Sequence, residues 1–297
     1  MGALSRADTG TLPYKNPCEQ LKIDLHTHTT YSDGQLTPEK LIQMAVKRKV
    51  GVLSVTDHDT VTALPEIKRL CEESGIQWIP GIEISSQCLE EEVHLLAYFI
   101  NDQDPEFLKF LDAQKKDRLL RIDKMIQRLN EEGVLIEKKD MEPYLKETST
   151  VGRPHLAQAL VRRGYAPNIK EAFRIYLAPH RPGYVPRQFP EGSVVIQKIR
   201  ENGGVPVLAH PGLLKDRSLP ELLKSQGLLG IEAYHPCHKK SERKAFALWG
   251  DQNQLIVTGG SDFHGLPGEK NTALGSLPVP PECVERLRAR ALPRNPE

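Results

Sequence analysis

Seven short apolar or alternating runs, each bounded by turn-forming residues, recur along the 297-residue chain. Runs of this length and pattern predict β-strands. They span residues 21–25, 50–57, 76–83, 92–99, 204–210, 228–235 and 254–262. Helical patterns lie between many of them, such as 37–49, which begins with threonine and proline, and 191–204, which ends on two glycines. Alternating strands and helices predict an α/β fold with a mostly parallel sheet, either closed into a barrel or open and doubly wound.

The alternation is interrupted between residues 101 and 190. Residues 104–133 carry an apolar stripe with basic residues beside it, and shorter helical patterns follow at 153–164 and 169–177. We predict a helical insertion in a strand-to-helix connection, and such insertions often build a lid or a substrate pocket. The predicted organisation is therefore a poorly ordered leader over 1–20, a barrel formed by 21–100 and 191–285, and an insertion over 101–190 that contributes to the substrate pocket.

Histidine and carboxylate side chains collect at the C-terminal ends of the predicted strands. His26 and His28 follow the first strand and share one face, because residues i and i+2 of a strand point the same way. The later strand ends carry Asp57, His58, Glu83, His210, His235, His238, Asp262 and His264, whereas His94 lies inside a strand. In a parallel barrel all these ends open onto one face, where catalytic groups collect. The placement favours the barrel over the open sheet.

Nine of the polar residues are candidate metal ligands. They are His26, His28, Asp33, His58, Glu83, His94, His210, Asp262 and His264. Imidazole and carboxylate ligands suit zinc, manganese and iron, and a set without cysteine favours the harder ions of that group. Nine ligands with one bridging carboxylate fit two or three ions, an arrangement typical of phosphoester hydrolysis. We interpret Asp57 and Asp59 as residues that orient ligands or cap turns, and His235 as structural.

The composition limits the expected compartment and binding partners but does not identify the reaction. A formal net charge of +1 supplies no overall field for nucleic acid or anionic membranes. The five cysteines are scattered and include no C-x-x-C pair, so a reducing, cytoplasmic compartment is expected. No apolar run approaches the ~20 residues of a membrane span, and the N-terminus has no signal-peptide core. We therefore expect no membrane association, and no stable protein partner is indicated.

Six segments resemble the motifs of the polymerase and histidinol phosphatase (PHP) family of metal-dependent phosphoesterases. They are HTHTTYSDG, TDHD, GIEIS, VHLLAYF, AHPG and GGSDFHG, in that order. The resemblance covers residues 21–265 and implies a distorted (β/α)7 barrel that holds three divalent transition metals, manganese first, with zinc or iron as alternatives.

The resemblance also assigns the candidate ligands to three metals. It implies a first metal held by His26, His28, Glu83 and Asp262, a second held by Glu83, His94 and His210, and a third held by Asp33, His58 and His264. Glu83 and Asp262 would be central to catalysis. His238 would be a phosphate ligand or a proton donor.

Within the family, GRPHLA (152–157), the insertion and GGSDFHG most resemble the branch that removes the 3′-phosphate from nucleoside 3′,5′-bisphosphates. Some members of that branch also trim short RNA from its 5′ end. By this resemblance Arg153 and His155 would bind substrate phosphate, with Arg118 and Arg121 as further candidates, although a solvated helix face fits these last two equally well. The substrate would be a small phosphorylated nucleotide or a short RNA 5′ end.

Two alternatives stay open at the level of sequence. A phosphatase acting on histidinol phosphate or another small phosphomonoester would share the metal site and need a different pocket. A non-catalytic metal-binding accessory module belongs to another class of protein, and the intact ligand set argues against it. For either enzyme we expect hydrolysis without a covalent enzyme intermediate, since no nucleophile elbow, P-loop or Cys/His pair is evident.

Overall fold

The computed structural model describes residues 21–147, 151–186, 189–265 and 273–291, so the predicted leader lies outside the described residues. Within these ranges the strands are β1 Lys22–Asp24, β2 Val50–Leu53, β3 Gln77–Trp78, β4 Gly81–Cys88, β5 Glu91–Tyr98, β6 Val205–Leu208, β7 Gly230–Tyr234 and β8 Ile256–Gly259. The α-helices are α1 Pro38–Lys47, α2 Leu64–Ser74, α3 Pro105–Glu131, α4 Lys138–Glu147, α5 Arg153–Arg162, α6 Ile169–Ala172, α7 Gly192–Glu201, α8 Leu219–Ser225, α9 Lys240–Gln252 and α10 Glu282–Arg290. A π-helical turn, Phe173–Leu177, follows α6, and a 3₁₀ turn, Pro211–Leu213, follows β6.

The strands form two sheets with mostly parallel pairing. One sheet has the order β1-β2-β3, and the other has the order β4-β5-β6-β7-β8. Strand β5 is antiparallel to both of its neighbours, and the remaining pairs are parallel. The run predicted at 76–83 is two strands, because Pro80 between them has no N–H to donate to a ladder. Strands β4 and β5 pair along their full lengths and form a long antiparallel hairpin.

Isolated bridges join the two sheets on both sides. Thr27, just after β1, pairs in parallel with Phe263, just after β8, and His58, just after β2, pairs with Glu83 in β4. Leu25 N–H also donates to Gly259 O at 3.3 Å, which links β1 to β8 directly. The result is the outline of the predicted distorted barrel, with its ladder interrupted at these bridges. The carboxyl ends of β1, β2 and β8 therefore face the same opening.

The apolar side chains that the structure describes form four clusters, of which two bear on the site. The barrel core packs strand residues such as Ile23, Val52 and Val207 against α10. Helices α3 to α6 share a second core, which includes Ile122 and Leu160. Burying each such side chain contributes about 1.5–3 kcal/mol, so the helical segment between β5 and β6 has its own stabilising centre. The boundaries 101 and 190 of the insertion stay a prediction.

None of the helices that the structure describes is both long enough and apolar enough to cross a membrane. Helix α3 has 27 residues but carries charged side chains along much of its length. Asp104 caps its start, where the carboxylate accepts the N–H groups of Glu106 and Phe107 at 2.9 and 3.0 Å.

Candidate metal centre and adjoining cavity

Glu83 in β4 lies at the centre of the residues predicted to bind metal. Its Oε2 atom is 3.1 Å from His26 Nε2, 3.2 Å from His28 Nε2 and 3.2 Å from His58 Nδ1. These histidines follow β1 and β2, so the parallel pairing of the two strands brings them to one carboxylate oxygen. Glu83 itself is 1% exposed.

The other oxygen of Glu83 faces a different pair of histidines. Oε1 lies 2.9 Å from His94 Nδ1 and 3.1 Å from His210 Nε2. His94 is inside β5, where hairpin pairing with β4 places it next to the glutamate, and His210 follows β6. Each oxygen of this one carboxylate therefore faces its own set of histidines.

Two aspartates complete the cluster from β8 and from the loop after β1. Asp262 Oδ1 lies 3.3 Å from His26 Nε2 and 3.1 Å from His28 Nε2. Asp33 Oδ1 lies 3.3 Å from His264 Nε2. The structure thus brings all nine predicted ligands together at one end of the barrel.

The donor atoms are arranged to fit metal ions. Side chains of His26, His28, Glu83 and Asp262 offer ligand atoms that all lie within 4.8 Å of one another, and this set matches the one predicted for the first metal. Two of the four further sets of the same kind consist of predicted ligands alone: His28, Asp33, His58 and His264, and His58, Glu83 and His94. Both ring nitrogens of His28 are buried and make no hydrogen bond to any residue that the structure describes. Buried ligand atoms that approach one another without hydrogen-bond alignment are typical of residues converging on a cation.

The electrostatics of the cluster keep its carboxylates ionised. Burial by itself would raise the pKa of Glu83, but His58, His26 and His94 hold that pKa well below its usual value. Burial lowers the pKa of His58 to about 3, which keeps its imidazole neutral and able to bind a metal. The pKa of His94 is instead raised to about 10, because Glu83 and Glu92 outweigh the effect of burial.

Asp57 and Asp59 lie behind the cluster and bind loop groups. Asp57 accepts the N–H of Thr29 at 2.7 Å and the hydroxyls of Thr29 and Ser32 at 2.6 Å. These bonds fix the loop that leads to Asp33. Asp59 Oδ1 accepts the N–H of Ser85 at 2.8 Å, close to Glu83 in β4. Both contacts are those expected of orienting residues.

Two glutamates that we did not single out in the sequence contact predicted ligands. Glu232 in β7 is completely buried, and its Oε1 lies 2.9 Å from His26 Nδ1. Glu92 in β5 lies 3.3 Å from His94 Nε2 through its Oε1. The available signal for Glu232 was a charged residue inside an otherwise apolar strand, GIEAY, where an unpaired charge would be costly.

His235 and His238 follow β7 and lie at different distances from the candidate metal ligands. His235, interpreted as structural, lies 3.3 Å from Asp262 Oδ2, at the edge of the cluster. His238, predicted as a phosphate ligand or proton donor, is 2% exposed. Its Nδ1–H donates to Ala233 O at 2.8 Å, and its Nε2 accepts the N–H of Gly212 at 2.9 Å. Both ring nitrogens are bonded to backbone and hold the turn after His210, and the predicted role of His238 toward phosphate stays a prediction.

A cavity of about 160 Å³ adjoins the cluster and is lined by three arginines. Its lining combines residues of the cluster or next to it, Asp33, His58, Glu92 and His94, with Arg118 and Arg121 from α3 and Arg153 from α5. Arg118 Nε donates to Asp59 Oδ2 at 2.6 Å, and its Nη2 donates to Ser85 Oγ at 2.8 Å. Arg118 therefore does not lie on a solvated helix face.

The other predicted phosphate ligands differ in their placement. Arg121 Nε donates to Val185 O at 2.8 Å. Arg153 Nη2 lies 3.3 Å from Glu92 Oε2. His155 is 5% exposed, and its Nδ1 accepts the N–H of Gly152 at 3.0 Å, so this nitrogen caps the start of α5. Arg121 and Arg153 face the cavity, whereas the described contacts of His155 fix the helix start.

A distorted, mostly parallel barrel with a carboxylate-centred histidine cluster and an arginine-lined cavity is the arrangement of a metal-dependent phosphoesterase. The PHP domain family model matches residues 24–149. The 3′,5′-nucleoside bisphosphate phosphatase of Chromobacterium violaceum is 33% identical over 91% of this chain and 98% of its own length. The 5′-3′ exoribonuclease Rnm of Escherichia coli is 34% identical over 81% of this chain and 84% of its own length.

A solved structure agrees over nearly the whole chain. The crystal structure of a candidate metal-dependent phosphoesterase from Bifidobacterium adolescentis superposes with a TM-score of 0.84 at 30% identity. The match covers 93% of this chain and 98% of that one. The chain belongs to the PHP family of metal-dependent phosphoesterases. The predicted fold class and the predicted enzyme class are both confirmed.

Proposed function

We propose that this chain hydrolyses the 3′-phosphate of nucleoside 3′,5′-bisphosphates, releasing inorganic phosphate and the nucleoside 5′-monophosphate. The observation that carries the proposal is one cavity lined both by Arg118, Arg121 and Arg153 and by candidate metal ligands. A bisphosphate has one phosphate to react and another to be held, and this lining offers separate groups for each. The similarity to the Chromobacterium violaceum phosphatase supports this substrate.

The three arginines suit the phosphate that does not react. Each guanidinium carries five N–H donors, and the described contacts of Arg118, Arg121 and Arg153 leave donors for phosphate oxygens. Gly152 adds space at this point, because a Cβ atom there would lie 3.1 Å from Arg118 Nη1. A phosphate bound by the arginines would orient the reacting phosphate toward the cluster.

On the cluster side we propose three divalent ions, with manganese favoured over zinc and iron. One ion is assigned to His26, His28, Glu83 and Asp262, a second to Glu83, His94 and His210, and a third to Asp33, His58 and His264. Bound ions of this kind activate water and neutralise charge on phosphoryl oxygens. In the overall step a water oxygen bonds to phosphorus, the bond from phosphorus to the ribose O3′ breaks, and the ribose oxygen leaves with a proton.

A neighbouring cavity favours a second candidate activity, removal of nucleotides from the 5′ end of short RNA. This cavity has a volume of about 630 Å³ and shares Glu92, Arg121 and Arg153 with the smaller one. Tyr184 and Phe189 also line it and supply aromatic faces on which a base can stack. The similarity to the exoribonuclease Rnm supports this candidate.

A substrate panel tests the proposal. Manganese-loaded protein is assayed for phosphate release from adenosine 3′,5′-bisphosphate, 3′-AMP, 5′-AMP and histidinol phosphate, and for shortening of a 5′-phosphorylated RNA. We expect the highest kcat/KM on the bisphosphate and poor turnover of 5′-AMP. Equal efficiency on 3′-AMP and the bisphosphate would refute the use of two phosphates, and a preference for histidinol phosphate would favour the alternative phosphatase.

A further inference from the structure

Glu232 touches two predicted metal ligands that come from different strands. Its Oε1 lies 2.9 Å from His26 Nδ1, and its Oε2 accepts the backbone N–H of His210 at 2.8 Å. Glu232 belongs to β7 and is completely buried. A buried carboxylate with these two contacts lies directly behind the proposed metal centre.

The first contact determines which nitrogen of His26 faces the cluster. With Nδ1–H donating to Glu232, the lone pair lies on Nε2, which is 3.1 Å from Glu83 Oε2 and 3.3 Å from Asp262 Oδ1. Only a nitrogen without a proton can bind a metal ion. The glutamate thus selects the tautomer that the centre needs and holds the ring in its orientation.

The second contact stabilises an unusual backbone turn. His210 has a φ angle of +27°, in the region that residues other than glycine seldom occupy. This turn points His210 Nε2 at Glu83 Oε1, 3.1 Å away. The bond from the His210 N–H to Glu232 helps to offset the strain of the turn, because it satisfies a buried donor.

We propose that Glu232 is a positioning residue that fixes His26 and His210 together and thereby raises the affinity of the centre for divalent ions. The inference rests on the proposed metal centre. Glu232 is not among the residues that line the cavity that we assign to substrate. We therefore expect its loss to affect metal binding more directly than substrate binding.

The variant Glu232→Gln changes the side-chain volume little but cannot keep both contacts. A carboxylate accepts from both donors, whereas a glutamine side chain accepts at its oxygen and presents an N–H₂ group at the other end. Either the His26 tautomer reverses or the His210 N–H loses its acceptor. Loss of such an orienting partner lowers metal affinity about 10- to 100-fold.

Metal affinity is measured by titrating metal-stripped protein with Mn²⁺ in a calorimeter. We expect at least one binding step of Glu232→Gln to weaken about 10- to 100-fold. The control, Glu221→Gln, removes the same charge from an exposed glutamate paired with Lys224 and should bind like wild type. Unchanged affinity in folded Glu232→Gln would overturn the inference. Failure of wild type to bind Mn²⁺ would instead overturn the metal centre itself.

A second measurement does not require Glu232→Gln to fold. In wild-type protein loaded with diamagnetic Zn²⁺, ¹⁵N-histidine NMR reports which ring nitrogen carries the proton, and His26→Gln assigns the His26 signal by its loss. We expect the proton on Nδ1. A proton on Nε2 of His26 would contradict the proposed role of Glu232.

Discussion

Glu92 Oε2 lies 3.3 Å from Arg153 Nη2. The other oxygen of the same carboxylate lies 3.3 Å from Nε2 of His94, a predicted metal ligand. One side chain therefore joins the proposed phosphate-binding arginine to the proposed metal centre. Both residues line both cavities, so this ion pair lies at the boundary that the two cavities share.

Arg153→Ala should reduce kcat/KM for adenosine 3′,5′-bisphosphate strongly. Losing a charged hydrogen-bond partner costs on the order of 1.5–3 kcal/mol, which corresponds to roughly ten- to hundredfold. A generic aryl phosphate has no second phosphate, so its turnover should change little. Arg174→Ala, which removes an exposed arginine paired with Glu171 in the same helical segment, serves as the control. Equal impairment of both substrates by Arg153→Ala would rule out the assigned role.

Glu83→Gln should be more damaging than Asp33→Asn. The two oxygens of Glu83 face separate groups of histidines, so this residue is proposed to contact two ions, whereas Asp33 is proposed to contact one. We expect Glu83→Gln to lose more bound metal and more activity, measured by elemental analysis and by phosphate release. Equal losses in the two variants would remove the bridging assignment.

Removing metal should lower the thermal stability of the protein. A tightly binding ion that binds only the folded state stabilises it by about 2.7 kcal/mol at a hundredfold excess over Kd, which raises Tm by roughly 4 °C for a chain of this size. Scanning calorimetry after chelation and after Mn²⁺ addition measures the difference, and elemental analysis should find more than one equivalent bound. One equivalent or none under metal-replete conditions would count against the proposed centre of three ions.

The Asp59–Arg118 pair should contribute to stability as a buried ion pair. Its atoms approach to 2.6 Å, and the two side chains are 0% and 14% exposed. Asp59→Asn leaves the guanidinium without its charged partner, so the free energy of unfolding should fall by about 3–5 kcal/mol. Glu73→Gln breaks the exposed Arg69–Glu73 pair and should cost less than about 1 kcal/mol. Urea denaturation measures the free energy of unfolding of both variants. Similar losses would contradict the predicted contribution of the buried Asp59–Arg118 pair to stability.

The clustering of the candidate metal ligands could be predicted from the sequence because most of their positions follow local rules. His26 and His28 share a face by the two-residue period of a strand, and most of the others mark strand ends that a mostly parallel barrel brings together, whereas His94 lies inside β5 and Asp33 in a loop. The partners of those ligands follow no local rule. Glu232 is 206 residues from His26, and Arg153 is 61 residues from Glu92, so only the folded chain reveals these contacts. The backbone partners of His238, Ala233 and Gly212, likewise depend on the packing of two loops and could not be read from the sequence.

The most direct test of the account is the identity of the nucleotide formed from adenosine 3′,5′-bisphosphate. ³¹P NMR of the reaction with manganese-loaded protein distinguishes a phosphate on the 5′ oxygen from one on the 3′ oxygen. The arginine-lined cavity beside the metal ligands predicts 5′-AMP and inorganic phosphate in equal amounts, with 5′-AMP persisting. Formation of 3′-AMP, or no reaction while another phosphomonoester is hydrolysed, would contradict the proposed function.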